Sequence, residues 1–217
     1  MPYILHDGPA GAGHRLIIAH GAGTGIESPF MESMTALVVA RGFAVTRFEF
    51  AYMAARRTGG PRRPAPKAEL LIAEFDEIVR ASLKSQPPAQ TLIIGGKSLG
   101  GRVASLIADD AFRAGHVAGL ICLGYPFHPP GQPEKRRTAH LEHLACPALI
   151  VQGVRDPFGN RTEIEALTLS PALQLHWIAD GDHDFGPRGN SGLTRKGNLS
   201  AAADAVAAFA AGLEPRP

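Results

Sequence analysis

Cysteine, tryptophan and tyrosine are scarce in this chain: its 217 residues hold two, one and three of them. Cys122 and Cys146 lack zinc-ligand spacing and are too few for a disulfide framework, which points to a reducing compartment rather than secretion. Cys122 lies inside an apolar run and reads as an inert buried thiol. An excess of one charge sign is also missing. The formal net charge is +2, too near neutral for nucleic acid or a membrane surface to be the expected partner. No apolar run approaches the roughly 18 residues that a membrane-spanning helix needs. The N-terminal MPYILHDG has no basic region followed by an apolar stretch, so no signal peptide is expected and a cytoplasmic location is the default. What remains is a chain of 45% hydrophobic residues, long enough to bury a large core and read as one α/β domain over residues 1–217.

Short β-branched or apolar runs fall near residues 3–6, 16–20, 43–50, 91–94, 117–123, 148–152 and 173–178. Helical spacing of apolar residues covers 28–41, 67–84, 99–112, 160–169 and 199–213. This alternation predicts a mostly parallel sheet with helices on both faces. LIIAH, LIIGG, LICLG and LIVQG are apolar almost throughout, as strands buried on both faces should be. In such a sheet a ligand sits beyond the carboxyl ends of the strands, so the loops that leave them carry the information. Two of these, 51–66 and 125–140, are polar and proline-rich, and the second is too short to fold as a separate helical lid.

Residues 91–102, TLIIGGKSLGGR, carry the strongest local signal. An apolar run stops at Gly95-Gly96, and a helical pattern starts after Gly100-Gly101. The segment Gly96-Lys97-Ser98-Leu99-Gly100 fits G-x-S-x-G, in which a strand turns so sharply into a helix that the serine is held at the tip in a strained conformation. A side chain at either glycine would collide with the neighbouring strand or helix. Ser98 is therefore the candidate nucleophile.

A serine hydroxyl needs a base to take its proton, usually a histidine oriented by a carboxylate. For a serine at such a turn the expected chain order is serine, acid, histidine. Asp156 leaves the ALIVQG run and His183 leaves LQLHWIAD, so both order and topology fit. Asp156 also suits a turn or cap, as Asp-Pro sequences do. Of nine histidines, His183 alone follows both Ser98 and Asp156 in a strand-exit loop. Asp182 and Asp184 beside it either raise its basicity or keep the loop soluble. An oxyanion needs two backbone N–H donors. These fall to Leu99, at the positive end of its helix, and to Ala22 in the glycine-rich loop His20-Gly21-Ala22-Gly23-Thr24-Gly25. A phosphate-cradling loop is the competing reading there, but the lysine and Ser/Thr of a Walker A motif are absent.

Tyr52, Tyr125 and His128 lie in exit loops and either contact substrate or pack and cap those loops. Lys97 lines the pocket or points away from it, and Arg102 is expected to bond backbone or a carboxylate. The basic clusters Arg56, Arg57, Arg62 and Arg63, and Lys135-Arg136-Arg137, are expected to be solvated loop charge, with attraction of an anionic substrate or partner as the alternative.

Read together, HGAG, GKSLGG, RDPFG and GDHDF make the chain resemble the α/β-hydrolase superfamily. The longer stretches AHGAGTGIESPFM, RFEFAYM, GGKSLGGRVAS, LGYPFHPPGQPEKRRTAHL, VQGVRDPFG and GDHDFGPR narrow the resemblance to a small lidless subfamily. That subfamily includes testis-expressed protein thirty, the hydrolase-like domain of a nonspecific-lethal chromatin complex subunit, and bacterial dienelactone-hydrolase-like proteins. The resemblance implies a three-layer fold with little or no lid and a triad of Ser98, Asp156 and His183. It further implies a serine hydrolase that cleaves a small ester or related acyl compound through an acyl-enzyme, with no metal or organic cofactor. Dienelactone hydrolases proper use a cysteine nucleophile, and Ser98 departs from them. The chromatin-associated relatives make a catalytically silent interaction module the alternative.

Overall fold

The structure, a computed structural model, describes residues 2–85, 87 and 90–214. Seven strands form one sheet: β1 (Ile4–Asp7), β2 (His14–Ala19), β3 (Phe43–Phe48), β4 (Thr91–Lys97), β5 (Gly119–Leu123), β6 (Ala148–Gly153) and β7 (Leu173–Ile178). Their order across the sheet is β1-β3-β2-β4-β5-β6-β7. Only β1 runs antiparallel to its neighbour. Strands β3 to β6 are buried along their whole length, which is why their sequences are apolar on both faces. Because Ala19 pairs with Gly96, Lys97 with Leu123 and Gly153 with Ile178, the carboxyl ends of the parallel strands finish at one rim.

Helices α1 (Pro29–Val39) and α6 (Arg195–Ala211) pack together over one face of the sheet, and α3 (Ile72–Ser85) and α4 (Leu99–Arg113) over the other. Two shorter helices, α2 (Ala51–Arg57) and α5 (Arg161–Glu165), follow β3 and β6. The apolar stripes read from the sequence are the ones buried: Phe30, Met34 and Val38 of α1 against β2, β3 and α6, and Phe75, Ile78 and Val79 of α3 against α4. Ser28 caps α1 ahead of Pro29, and Asn160 forms a capping box with Glu163 on α5.

Four expected elements differ, one of them the helix expected over 160–169, which ends at Glu165. The segment expected as a loop over 51–66 opens with α2, where AYMAARR buries Met53, and only its proline-rich remainder is irregular. The helix expected over 67–84 is broken into a 3-10 turn at Ala68–Leu70 and α3, turning Leu70 outward and Leu71 inward. The last helix starts four residues earlier than the apolar spacing indicates, because Thr194 accepts from the Gly197 N–H at 3.0 Å and caps a polar first turn. Segment 125–140 has no regular helix before its last turn, and it buries Thr138 as well as Tyr125 and Phe127, which join the main core. Among the described residues no helix is long and apolar enough to cross a membrane.

Candidate active site

Ser98 ends β4 and opens α4 with φ 50° and ψ −111°. A non-glycine residue held there stores strain of order 1–3 kcal/mol, which the surroundings must enforce. They do so from both sides. The Ser98 N–H donates to Leu123 O at 3.0 Å, and its carbonyl accepts from Arg102 N, also at 3.0 Å. A Cβ on Gly96 would stand 2.2 Å from the Gly100 carbonyl carbon, and one on Gly100 would stand 2.5 Å from Ala19 O. Both glycines are thus required by close approach, and the half-exposed serine is left at the rim.

Asp156, at the exit of β6, is fully buried. Its Oδ2 accepts from His183 Nδ1 at 2.8 Å and from Gln152 Nε2 at 2.9 Å, and its Oδ1 accepts from Phe158 N at 2.8 Å. Facing a carboxylate, Nδ1 carries the proton, and Nε2 of the same ring remains the acceptor. The Phe158 ring lies over the imidazole with centroids 4.3 Å apart. Gln152 is itself fully buried, and its Nε2 also faces Tyr125 O and Gly159 O, both at 3.2 Å. Three acceptors around one nitrogen fix the orientation of that amide.

The loop bearing His183 is held from four directions. Lys97 Nζ donates to His183 O at 2.7 Å. Asn198, buried on α6, donates to Phe185 O and Ala179 O. Arg155 reaches Asp180 O and Gly186 O. Asp182 accepts from the N–H groups of Asp184 and Gly186, which shows that it folds the loop. Gly124, at φ +66°, ends β5 directly beneath. A Cβ there would lie 3.0 Å from both His183 O and Lys97 Nζ, and 3.3 Å from His183 Nδ1. A glycine is required by both its conformation and the imidazole's approach.

The loop after β2 is tied down through its carbonyls. His20 is fully buried, so its ring stays neutral: burial lowers its pKa more than the Gly21 bond raises it. Its Nδ1–H donates to Gly21 O at 2.6 Å, and its Nε2 accepts from Phe50 N at 3.2 Å. The Tyr52 hydroxyl donates to Ala22 O at 3.1 Å and lies 3.4 Å from Gly21 O. In a trans peptide the C=O and N–H point in opposite directions. With Gly21 C=O turned to His20 and Tyr52, the N–H of Ala22 is turned away from them. Ala22 is exposed, and Leu99 begins α4 at the neighbouring strand end.

The other candidates fall into place by their partners. Tyr52, half-buried, holds the Ala22 loop. Tyr125 is wholly buried, with its hydroxyl on Arg137 O at 2.8 Å, so it packs within segment 125–140. His128, also buried, donates to Pro129 O, lies 3.4 Å from Glu163 Oε2 and lines a cavity of about 190 Å3 with Phe127, Pro133 and Ile164. The Arg56–Arg57 charge is largely spent inside the fold: Arg57 bridges Glu49 and Glu27 and covers Tyr3, and Arg56 lies over Tyr52. Arg102 pairs with Glu69 at 2.6 Å. A cavity of about 500 Å3 between β7 and the end of α6 lies at the opposite end of the sheet. Among the described residues no three His, Cys, Asp or Glu side chains converge as metal ligands would. Sequence reasoning missed Gln152, left Lys97 without its partner at His183 O and missed the role of His20, whereas Tyr52 takes the loop-capping role it allowed. A lone polar residue at the end of an apolar strand, as in LIVQG and LIIGGK, is the signal that marks the first two.

A model of the alpha/beta hydrolase domain matches residues 12–211 of the chain. Among solved structures, a dienelactone hydrolase from Anabaena variabilis superposes with a TM-score of 0.73 at 21% identity, covering 98% of this chain and 92% of that one. An alpha-beta serine hydrolase homologue from Coxiella burnetii gives 0.70 at 18% identity, covering 95% of this chain and 90% of that one. A serine hydrolase without a lid from Xanthomonas campestris gives 0.68 at 16%, covering 94% and 89%. At these identities the likeness speaks to the fold.

Proposed function

The chain belongs to the alpha/beta hydrolase domain family, and on that premise we propose that it is a serine hydrolase cleaving a small carboxylic ester or related acyl compound through an acyl-enzyme. The observation that carries this reading is the 2.8 Å bond between the buried Asp156 carboxylate and His183 Nδ1, at the rim where Ser98 is held in its strained turn. That bond leaves Nε2 of His183 free to act as a base toward a hydroxyl.

Ser98 Oγ attacks the acyl carbon while His183 Nε2 takes the hydroxyl proton. The N–H groups of Leu99 and Ala22 hold the oxyanion; losing one such donor typically costs about 3–4 kcal/mol of transition-state stabilisation. Collapse of the tetrahedral intermediate breaks the bond to the leaving oxygen, which receives the proton from His183. Water, deprotonated by the same ring, then attacks the acyl-enzyme and regenerates Ser98. The serine in place of cysteine sets the chain apart from dienelactone chemistry, and a simple acyl ester is the proposed substrate class.

The test is a p-nitrophenyl butyrate assay run beside labelling with a fluorophosphonate probe. Ester turnover together with stoichiometric labelling at Ser98 is expected. Ser98→Ala abolishes both while leaving the circular dichroism spectrum unchanged. A wild-type protein that neither turns over esters nor takes up the probe would remove the proposal.

A further inference from the structure

Lys97 is a buried ionisable side chain that the proposed reaction does not use. It immediately precedes Ser98, yet its side chain is only 7% exposed. Burying an ammonium is expensive unless it is paired and hydrogen-bonded, so the contacts it makes are informative. Its Nζ donates to the main-chain oxygen of His183 at 2.7 Å and lies 3.3 Å from Asp184 Oδ1. On the α1 side it meets an aromatic face, the Phe30 ring, with Nζ 5.1 Å from the centroid. Phe30 in turn meets Phe185 of the His183 loop edge-on, with centroids 5.4 Å apart. Beneath, Gly124 leaves room for Nζ and the imidazole together, as a Cβ there would come within 3.0 Å of the one and 3.3 Å of the other. The β4 strand end therefore reaches the histidine loop through one side chain, which is the neighbour of the proposed nucleophile.

We propose that Lys97 is a positioning residue for the reaction: its buried ammonium latches the His183 carbonyl to the end of β4 and so keeps the imidazole in register between Asp156 and Ser98. Fixing that carbonyl fixes the peptide plane after His183, and with it the direction in which the ring leaves the backbone. The proposal rests on the serine-hydrolase reading above. A charge-assisted bond is about twice as strong as a neutral one, so the latch weakens when the amine loses its proton. Burial pulls the pKa of Lys97 below that of an exposed lysine, against the opposing pull of Asp184, Asp156 and Asp182. These three carboxylates and His183 are the titratable groups that face it. The latch accordingly loosens on the alkaline side, at a pH below that of an ordinary lysine.

The experiment measures the rate of fluorophosphonate labelling across pH for wild type, Lys97→Met and Asp184→Asn, together with the low-field proton resonance of the His183–Asp156 bond. Lys97→Met is expected to label about 10–100-fold more slowly. Its rate should no longer fall on the alkaline side, and its low-field resonance should be shifted or broadened. With ester substrate the loss appears in kcat and leaves KM unchanged, since Lys97 does not meet the substrate. Asp184→Asn removes an anion that favours the ammonium, so its alkaline fall moves to lower pH while the plateau stays within about twofold. This second variant decides the matter should Lys97→Met fail to fold by circular dichroism. Labelling of Lys97→Met at the wild-type rate, with the same alkaline fall, overturns the latch and leaves the Ser98 reading standing. A wild type that takes no label removes the Ser98 reading instead. In that case a low-field resonance unchanged in Lys97→Met overturns the latch, and a shifted one supports it.

Discussion

Replacing Asp156 by asparagine keeps the shape of the site and reverses its hydrogen-bond logic. Phe158 N donates to Oδ1 at 2.8 Å, while Gln152 Nε2 and His183 Nδ1 both approach Oδ2, at 2.9 and 2.8 Å. All three are donors, and an asparagine has one oxygen. With that oxygen kept on Phe158, the new NH2 confronts Gln152 and can reach His183 only as a donor. The imidazole must then carry its proton on Nε2, where it cannot accept from Ser98. Two losses combine. The charge-assisted bond that stabilises the imidazolium contributes about 1.5–3 kcal/mol, and the wrong tautomer must be reversed before reaction. Together they are expected to lower kcat/KM about 10⁴-fold, equivalent to about 5.5 kcal/mol. The donor–donor conflict with the buried Gln152 should also lower stability by about 1–3 kcal/mol. Ester hydrolysis and urea unfolding measure the two effects separately. An Asp156→Asn enzyme within tenfold of wild type would refute the assignment of Asp156 as the partner that sets the His183 tautomer.

Gln152→Met keeps the volume and removes the donor to Asp156 Oδ2; kcat should fall about 10-fold or more, with KM little changed, and an unaffected kcat would show that the carboxylate is held without it. Tyr52→Phe removes the hydroxyl from Ala22 O but leaves Gly21 O on His20, so a kcat loss of less than about tenfold is expected. Should KM rise several-fold with kcat constant instead, Tyr52 is a substrate contact. Stability should fall on acidification, because burial lowers the pKa values of His20 and His140 below their ordinary value. The unfolded chain then binds protons that the folded one refuses, so the stability is present above about pH 6.5 and is lost as pH falls below it, by up to ~1.4 kcal/mol per pH unit for His20. A urea midpoint that is flat or rising from pH 7.5 to 5.5 would contradict this.

The sheet was legible because strands buried on both faces must be apolar, and each of the seven runs became a strand. The turn at Ser98 was legible because steric crowding at Gly96 and Gly100 leaves a sequence trace. Asp156 and His183 followed from strand-exit position and chain order, and the structure joins them. Helix α2 was hidden by the Arg, Gly and Pro content of the stretch it opens, although AYMAARR alone has good helix formers. The break before α3 was hidden because Leu70 and Leu71 are equally apolar and only packing turns one outward. The role of Lys97 is a contact with residue 183, far away in the chain, and that of Gln152 is a bond to Asp156 across the strand-exit turn four residues on; periodicity carries no record of either. Arg57 read as solvent charge because its partners Glu27, Glu49 and Tyr3 lie outside its helix.

Segment 125–140 is anchored in the core by Tyr125 and Phe127 and stitched by Tyr125 to Arg137 and by Arg137 N to Phe127 O at 2.8 Å. Both bonds tie the segment to itself, and on the proposed reaction the serine at the rim is expected to need no cover to swing aside. Velocity should then follow dissolved ester along a plain hyperbola, with no jump when the substrate passes its solubility limit and forms droplets.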